Sequence, residues 1–496
     1  MRRKFLRNLA FLIGLNLLVK PFWILGIDRQ VQNVVGTQDY GFYFAIFNFS
    51  FLFFIFLDLG ITNFNNRNIA RNNHQLKDHF GGIATLKLLL GIGYALIIFL
   101  IGWFIGYNER QLYLLAWVGF NQFILSFILY LRSNLTGLLL FKTDSLISIL
   151  DRLLMIAIVG VLLWTSVLKG SFTIEWFVYA QTVAYLVTFS IALLAVLRKS
   201  GKLSLHWDTA FFLSILRRSL PFALLVLIMS FYSRVDSVLI ERLLPTPIGA
   251  MQAGVYAQAY RLLDAGQNLA YLFAILLLPL FSKMLKEGQS VNGLVKLSFS
   301  ILITIALIVA VSTQFFAKDF MILMYSQHVG ESLSAFDLRM TESAHIFQLL
   351  MWSLVAISSN YVFGTLLTAN NNLKVLNWIA LSGLLINFLL NFLLIPIYQA
   401  FGSAMASLAT QLLTAALQLG LAVRYFNFRK DFGWASRFIW LVVAMLMMGF
   451  LQNYFKGVLW EIRFVFLFSM GLIFAISIKT MNVKNLLRII GSSEDY

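Results

Sequence analysis

Charged side chains that could bind a polar ligand lie inside long apolar stretches of the sequence. The basic ones are Lys20, Lys87, Arg234 and Arg261, and the acidic ones are Asp58, Asp236 and Asp264. A charge at the centre of a bilayer costs about 2.5–3.5 kcal/mol on insertion scales, so each needs a partner or a function. Arginine binds phosphate through two parallel hydrogen bonds, and lysine binds it as a point charge. We predict that part of this basic set binds an anionic headgroup.

The acidic residues permit a second interpretation of the same set. Arg261 stands three residues before Asp264, close enough to pair with it on one helix, and Arg234 stands two residues before Asp236. Such pairs could hold two helical lobes together instead of facing a cavity. If the arginines do face a cavity, the aspartates hold them in a resting position or carry a coupling proton or sodium ion. Asp58 belongs with these charge partners.

A polar stripe in the eighth apolar stretch favours a cavity or a seam between helices. Its members recur at steps of three and four residues, and they are Tyr256, Tyr260, Asp264, Gln267 and Tyr271. This spacing places them on one face of a helix, which would not face lipid. We add Asn360, Asn387 and Asn391 from later stretches as candidate cavity residues, although asparagine within a span more often joins helices than binds ligands.

The elements that must position these residues are membrane helices. Of 496 residues, 60% are hydrophobic and 12% are charged, which excludes a large soluble enzyme domain. The chain has no cysteine and only five histidines, without the spacing of metal ligands, so we expect no metal and no cofactor. The net charge of +17 indicates membrane orientation and no nucleic-acid partner.

The sequence predicts an all-α polytopic membrane protein with about fourteen spans. They lie near 9–27, 41–61, 82–107, 112–136, 146–168, 174–197, 219–242, 255–282, 294–316, 346–369, 376–397, 403–424, 437–455 and 460–478. Lysine and arginine concentrate in alternate connections, beginning with the basic stretch at 2–7, which predicts cytoplasmic N- and C-termini. That stretch resembles the start of a signal peptide, but no cleavage site follows, so we interpret 9–27 as an uncleaved span.

The chain contains a weak internal repeat. Gly41-Phe42-Tyr43 opens the second span and Gly254-Val255-Tyr256 opens the eighth, and Lys20 and Arg234 stand at nearly the same distance before the two glycines. We therefore predict two pseudo-symmetric six-helix lobes, as in many transporters. Their boundaries are 1–200 for the N-lobe and 211–425 for the C-lobe, with two extra helices and a cytoplasmic tail in 437–496.

Several stretches carry a resemblance to a known family. They are Gly41-Phe42-Tyr43, Asp58-Leu59-Gly60 with the polar segment 65–71, Arg234-Val235-Asp236, Ala253 to Tyr256, and Asn387-x3-Asn391-x4-Pro396 followed by Gly402-Ser403-Ala404. Together with the span count, they resemble the polysaccharide transporters of the multidrug/oligosaccharidyl-lipid/polysaccharide (MOP) exporter superfamily. Within that superfamily the chain looks like the O-antigen-type flippases of lipid-linked oligosaccharides. The resemblance covers most of residues 1–425.

The resemblance implies a bacterial inner-membrane flippase that works by alternating access. Its substrate would be a polyprenyl-pyrophosphate-linked oligosaccharide destined for lipopolysaccharide or another surface polysaccharide. Arg234 and Arg261 match cations that hold the pyrophosphate, Lys20 is a looser match, and Lys87 is a further candidate from the residues alone. The implied partners are this lipid, the bilayer and the glycan polymerase machinery, and coupling to a proton or sodium gradient is left open.

Three alternatives stay open at the level of sequence. A lipid II flippase or a multidrug exporter of the same superfamily would share the fold, although a multidrug exporter favours acidic cavity residues. A membrane glycan polymerase or ligase is a different class of protein, which needs acids, histidine or arginine on a sizeable outer loop. The largest predicted outer loop, 317–345, contains Asp319, His328, Glu331, Asp337, Arg339, Glu342 and His345.

Overall fold

The computed structural model describes residues 14, 18–19, 21–165, 172–201, 204–426, 428, 431–455 and 457–481. Lys20 and eight other residues of the first predicted span, 9–27, lie outside these residues. Within them the regular structure is entirely helical. The chain divides into two compact units, Met1–Gly254 and Val255–Tyr496. The division into six-helix lobes that we drew from the internal repeat stays a prediction.

The helices of the first unit follow one another with short connections. They are α1 (Arg29–Val35), after a π-helical turn at Trp23–Asp28, then α2 (Thr37–Leu52), α3 (Ile61–Arg71), α4 (Gln75–Phe104), α5 (Glu109–Gly137), α6 (Phe141–Trp164), α7 (Ile174–Ser200) and α8 (Thr209–Leu243). Helix α9 (Ile248–Lys286) contains the boundary between the units. The second unit continues with α10 (Asn292–Met324), α11 (Leu333–Ala369), α12 (Leu373–Phe426), α13 (Phe432–Leu451) and α14 (Trp460–Ser477).

These helices confirm the predicted all-α membrane fold. Ten of the described helices are long and apolar enough to cross a membrane. Helix α12 alone has 54 residues and contains two predicted spans, because Gln399 leaves the helical conformation (φ 52°, ψ −134°) shortly after Pro396. The protein is thus a multi-pass membrane protein.

The second predicted span differs from the structure. The sequence predicts one helix over 41–61, but α2 ends at Leu52 and a 3-10 turn at Phe54–Leu57 follows before α3 begins. Leu59 and Gly60 have φ of 43° and 79°, a left-handed conformation that ends a right-handed helix. Residues 53–57, which directly follow the end of α2, are all apolar, so the hydrophobic pattern did not indicate that the helix ends at Leu52.

The long loop predicted over 317–345 is also mostly helical. Helix α10 continues to Met324 and α11 begins at Leu333, which leaves a connection of eight residues. The hydroxyl of Ser332 accepts a hydrogen bond from the amide of Ala335 at 3.2 Å and caps the start of α11. Most of the polar residues of this segment therefore lie on the two helices, whereas His328 and Glu331 lie in the connection.

Each unit has its own apolar core. In the first, a cluster of side chains from α3 to α8 includes Phe80, Ile128 and Val196, all buried. In the second, α13 and α14 pack against α10 through Leu441, Leu467 and other buried side chains. The two C-terminal helices, which the internal repeat left over, therefore belong to the packed core of the second unit.

Two glycines that the internal repeat relates are in contact in the first unit. A Cβ added to Gly41 on α2 would overlap the backbone of Ala250 and Gly254 at the start of α9. A Cβ added to Gly254 would overlap the carbonyl oxygen of Thr37. Small residues at such a crossing let two backbones approach more closely than side chains would allow.

We expect Gly41→Ala to destabilise the protein and Gly420→Ala to leave it as stable as the wild type or slightly more stable. At Gly41 the new methyl group meets backbone atoms, and overpacking of this kind costs about 1–3 kcal/mol. At Gly420, also within a helix, no described atom lies within 4 Å of the new Cβ. Thermal unfolding of the purified variants in detergent measures the difference, and equal midpoints would contradict the close approach of α2 and α9.

Candidate functional site

A buried ion pair forms at the break in the second span. The side chain of Lys87, on α4, is 0% exposed, and its Nζ lies 3.0 Å from Oδ1 of Asp58. The same ammonium donates a hydrogen bond to the carbonyl oxygen of Leu57 at 2.9 Å. No partner for Lys87 was evident near it in the sequence, because Asp58 precedes it by 29 residues.

The turn around this pair is itself fixed by hydrogen bonds. Asp58 accepts from the backbone amide of Thr62 at 3.2 Å and also from the Thr62 hydroxyl. The hydroxyl of Ser126, on α5, donates to the Leu57 carbonyl at 3.0 Å. The carbonyl that the broken helix releases therefore has two donors, which meets the requirement that backbone polar groups inside a membrane be paired.

This arrangement bears on the predicted role of Lys87. The side chain of Lys87 is not exposed to solvent, so a pyrophosphate could reach its ammonium only by displacing Asp58. Breaking a buried pair on one side costs several kcal/mol, since it leaves an uncompensated charge. Lys87 as a pyrophosphate ligand stays a prediction, and its geometry is that of a structural anchor between α4 and the Asp58 turn.

Arg234 lies in a different environment on α8. Its Nη1 lies 3.5 Å from Oδ1 of Asn48, on α2, and its guanidinium lies 5.2 Å from the centre of the Phe51 ring. The amide of Asn48 also donates to the hydroxyl of Ser237 at 2.8 Å. Asp236, the second residue after Arg234, is buried. One face of α2 thus contributes an amide and an aromatic ring to the contacts of the arginine.

Asn48 and Phe51 are contacts that the sequence reasoning missed. Both lie in a stretch with many phenylalanines, which is typical of side chains that face lipid. The available signal was Asn48 itself, because a polar residue within an apolar span usually bonds to a neighbouring helix. Its buried position, 2% exposed, agrees with that rule.

The predicted stripe on α9 lies in the second unit. Arg261 Nη1 is 3.6 Å from Oδ2 of Asp264, and the two side chains are 15% and 17% exposed. The rings of Tyr256 and Tyr260 are buried and stack with their centres 5.5 Å apart. Gln267 is half-buried. The pairing of Arg261 with Asp264 agrees with the spacing, and it does not distinguish a resting cation from a purely structural pair.

The three predicted asparagines separate into two kinds. On α12, the amide of Asn391 donates to the backbone carbonyl of Asn387 at 2.9 Å and to its side-chain oxygen at 3.0 Å. Asn360, on α11, instead donates across to α12, to Gln411 at 3.1 Å and Thr414 at 3.2 Å. The first pair lies within one helix, whereas Asn360 joins two.

Several acidic and basic residues of the predicted outer loop, 317–345, form ion pairs with one another. Arg339 makes a two-pronged ion pair with Glu331, at 2.9 Å from Nε and 2.8 Å from Nη2, and donates to the carbonyl of Ser326. Lys318 pairs with Asp337 at 2.7 Å. Burial alone would raise the pKa of the Glu331 carboxyl, but the hydrogen bonds from Arg339 and the His328 amide, with the charge of Arg339, lower that pKa overall. A general acid needs a raised pKa, so Glu331 does not suit acid catalysis.

Among the residues that the structure describes, no group of three or more histidine, aspartate or glutamate side chains could hold a metal ion. The candidate residues of each unit are basic side chains with carboxylate, amide or aromatic neighbours. Basic side chains of this kind can bind an anion.

The fold defines the class of protein. It is similar to "Lipid II flippase MurJ, inward closed conformation", with a TM-score of 0.70 at 15% identity, over 96% of this chain and 100% of that one. It is also similar to an inward-facing "multidrug resistance MATE family transporter of the MOP superfamily" (TM-score 0.61, 14% identity, 82% and 94% coverage). A MOP superfamily transporter from Pyrococcus furiosus gives a TM-score of 0.53 at 16% identity, with 86% and 96% coverage. At these identities the likeness concerns the fold alone.

The family described as "Polysaccharide biosynthesis protein" matches residues 5–285, more than half of the chain. A comparison with curated protein sequences gives no match. The chain belongs to this polysaccharide biosynthesis family, and its fold is similar to that of MOP superfamily transporters. The resemblance noted from the sequence is confirmed at that level.

We expect Lys87→Met to destabilise the protein by about 3–5 kcal/mol, because it leaves the carboxylate of Asp58, which is only 15% exposed, without its charged partner. Adding Asp58→Asn should restore most of that loss, since the remaining groups are neutral. Arg110→Ala serves as the control, since it removes a 47%-exposed arginine that pairs with Asp39 and Glu175 and should cost about 1 kcal/mol or less. Thermal unfolding in detergent provides the comparison, and a Lys87→Met variant as stable as Arg110→Ala would exclude the anchoring role.

The Glu331–Arg339 pair should make stability depend on pH. Because the folded protein lowers the pKa of Glu331, the pair stabilises the protein above the pKa of the unfolded chain. That contribution is lost as the pH falls from the ordinary range of a glutamate pKa through the lowered folded-state pKa. Glu331→Gln should therefore unfold at a lower temperature than the wild type at pH 7, with the difference narrowing in acid. A difference that stays constant with pH would contradict this account.

Proposed function

We propose that the protein is a flippase that moves a polyprenyl-pyrophosphate-linked oligosaccharide across the bacterial inner membrane for surface polysaccharide biosynthesis. The description of its family supports a role in polysaccharide production. The transporter fold supports translocation, and we propose that it proceeds by alternating access. In this proposal both termini are cytoplasmic, as the distribution of lysine and arginine predicts.

The observation that carries the proposal is the position of Arg234. It lies well within α8 and contacts Asn48 and Phe51 on α2. A pyrophosphate carries about two negative charges and cannot enter hydrocarbon unless fixed charges replace its water shell. An arginine at that depth supplies both the charge and a two-pronged hydrogen-bond geometry that matches phosphate.

The proposal assigns a different role to each of the other charged residues. Arg261 is the second cation for the pyrophosphate, and Asp264 holds it in a resting position that substrate can replace. Lys20 is a further cation by its resemblance to the family pattern. Asp58 and Asp236 are charge partners or carriers of a coupling ion. The lipid tail of the substrate stays in the bilayer, because its transfer into a polar site would cost about 0.8 kcal/mol for each CH₂ group.

A lipid II flippase and a multidrug exporter remain consistent with the same fold. The basic residues within the spans favour an anionic substrate over the cationic compounds that a multidrug exporter of this superfamily would bind. Delivery to a glycan polymerase on the outer side completes the proposed pathway. The surface polymer made in this way would be an O-antigen or a related polysaccharide.

The test uses a bacterial strain in which the gene is deleted and lipid-linked glycans are scored for sidedness in spheroplasts. We expect glycan to accumulate on the inner leaflet and surface polysaccharide to be lost. Wild-type protein should restore both. Arg234→Ala should fail, and Arg234→Lys should restore transport only in part, because lysine keeps the charge but loses the two-pronged contact.

Arg110→Ala is the control for a general loss of positive charge, and it should restore transport fully. Immunoblots of the membrane fraction confirm equal amounts of each variant. If lipid-linked glycan reaches the outer leaflet as usual in the deletion strain, the proposed function is wrong. If units arrive outside but stay unpolymerised, the polymerase alternative takes its place. If Arg234→Ala restores transport fully, the assigned role of Arg234 is wrong.

A further inference from the structure

A cluster of amide side chains joins α11 and α12 inside the second unit. Asn360 donates to Gln411 and Thr414, as described above. One helical turn further along both helices, the side chain of Gln418 lies against Gly364. A Cβ at Gly364 would lie 2.9 Å from Oε1 of Gln418, so the absent side chain leaves room for this oxygen.

Two oxygen atoms of this cluster are buried without a hydrogen-bond donor. Oδ1 of Asn360 and Oε1 of Gln418 accept no hydrogen bond from any residue that the structure describes. A buried acceptor that lacks a donor costs about 1–3 kcal/mol, and most such atoms in proteins are paired. Two of them a turn apart on facing helices therefore indicate a place where a donor from outside the chain binds.

The first unit provides a comparable cluster of amide and hydroxyl side chains. Between α5 and α7, Asn121 donates to Gln181 at 3.3 Å and accepts from the Thr182 hydroxyl at 2.7 Å. Gln181 in turn donates to the hydroxyl of Tyr185 at 3.2 Å. Both side-chain oxygens of this Asn–Gln pair are occupied, as expected for a cluster that joins helices. The cluster in the second unit has a second glutamine, Gln418, instead of a tyrosine, and two of its acceptors lack a donor.

We propose that Asn360 and Gln418 form a subsite that accepts hydrogen bonds from the hydroxyl or acetamido groups of a saccharide. The inference rests on the proposed function and names the residues that recognise the glycan part of the substrate. Neutral amide oxygens bind hydroxyl and N–H donors, and they repel phosphate oxygens, so this cluster recognises the sugar and not the pyrophosphate. The cluster contains no carboxylate, which distinguishes it from a site for an organic cation.

The test compares two probes on the purified full-length protein in nanodiscs. One is undecaprenyl pyrophosphate, and the other is undecaprenyl pyrophosphate that carries a disaccharide. Asn360→Leu and Gln418→Met keep the side-chain size and remove the acceptors. Each should weaken binding of the glycosylated probe about three- to tenfold, as expected for one lost hydrogen bond, and leave binding of the bare lipid unchanged.

A third variant, Gly364→Ala, tests the cluster without removing a polar group. Its methyl group would push the Gln418 oxygen from its position, so affinity for the glycosylated probe should fall by a smaller factor. Asn121→Leu in the first unit is the matched control. It should lower the unfolding temperature and leave the ratio of the two affinities at the wild-type value. Because three variants affect the cluster differently, a folding failure of one still leaves the proposal testable.

The outcomes separate this inference from the proposed function. If the wild type binds neither probe, the proposed function fails and the subsite fails with it. If the wild type binds both probes and the variants at Asn360 and Gln418 do not change the affinity ratio, the subsite is wrong and the proposed function stands. The latter result would mean that ordered water satisfies the two acceptors. A ratio that falls for these variants and not for Asn121→Leu supports the subsite.

Discussion

The constraint on which this structure depends is the free energy of an unpaired polar group in hydrocarbon. The second span breaks between Leu52 and Ile61, and a broken helix exposes carbonyls that neither lipid nor the helix can satisfy. Lys87 and Ser126 both donate to Leu57, and Asp58 compensates the ammonium charge. The break, the buried lysine and the positions of α4 and α5 therefore depend on one another. Removing any one of these polar groups leaves another without its hydrogen bond or its countercharge.

The same constraint distinguishes structural from functional polar residues. The cluster at Asn121 has a donor for each amide oxygen, whereas the related cluster at Asn360 does not. Counting polar residues in the spans cannot make this distinction, because each cluster contains an Asn–Gln pair with a neighbouring threonine. The difference lies in pairing between helices, and it becomes visible only when each donor and acceptor is followed to its partner.

The sequence predicted most of the membrane helices, but it did not predict the contacts between them. Apolar stretches of about 20 residues predicted the membrane helices closely, and Pro396 indicated the division inside α12. The end of α2 at Leu52 was not predicted, because the apolar residues 53–57 follow it without a change in hydrophobicity. The partner of Lys87 and the contacts of Arg234 with α2 were not predicted for another reason. They depend on contacts between distant segments, such as Asn48 with Ser237, which are 189 residues apart.

Lys87 and Arg234 differ in burial and in the geometry of their contacts. The Lys87 ammonium is fully buried against a countercharge and a backbone carbonyl, and losing one partner of such a pair costs about 3–5 kcal/mol. Arg234 is only partly buried, and its contacts with α2 include a long hydrogen bond to Asn48 and a cation–π contact with Phe51. An anionic headgroup could reach the Lys87 ammonium only if the helix break rearranged, whereas the Arg234 side chain is partly accessible. Under the proposed function we therefore interpret Lys87 as the fixed point of the helix break and Arg234 as the residue of the first unit that contacts the headgroup.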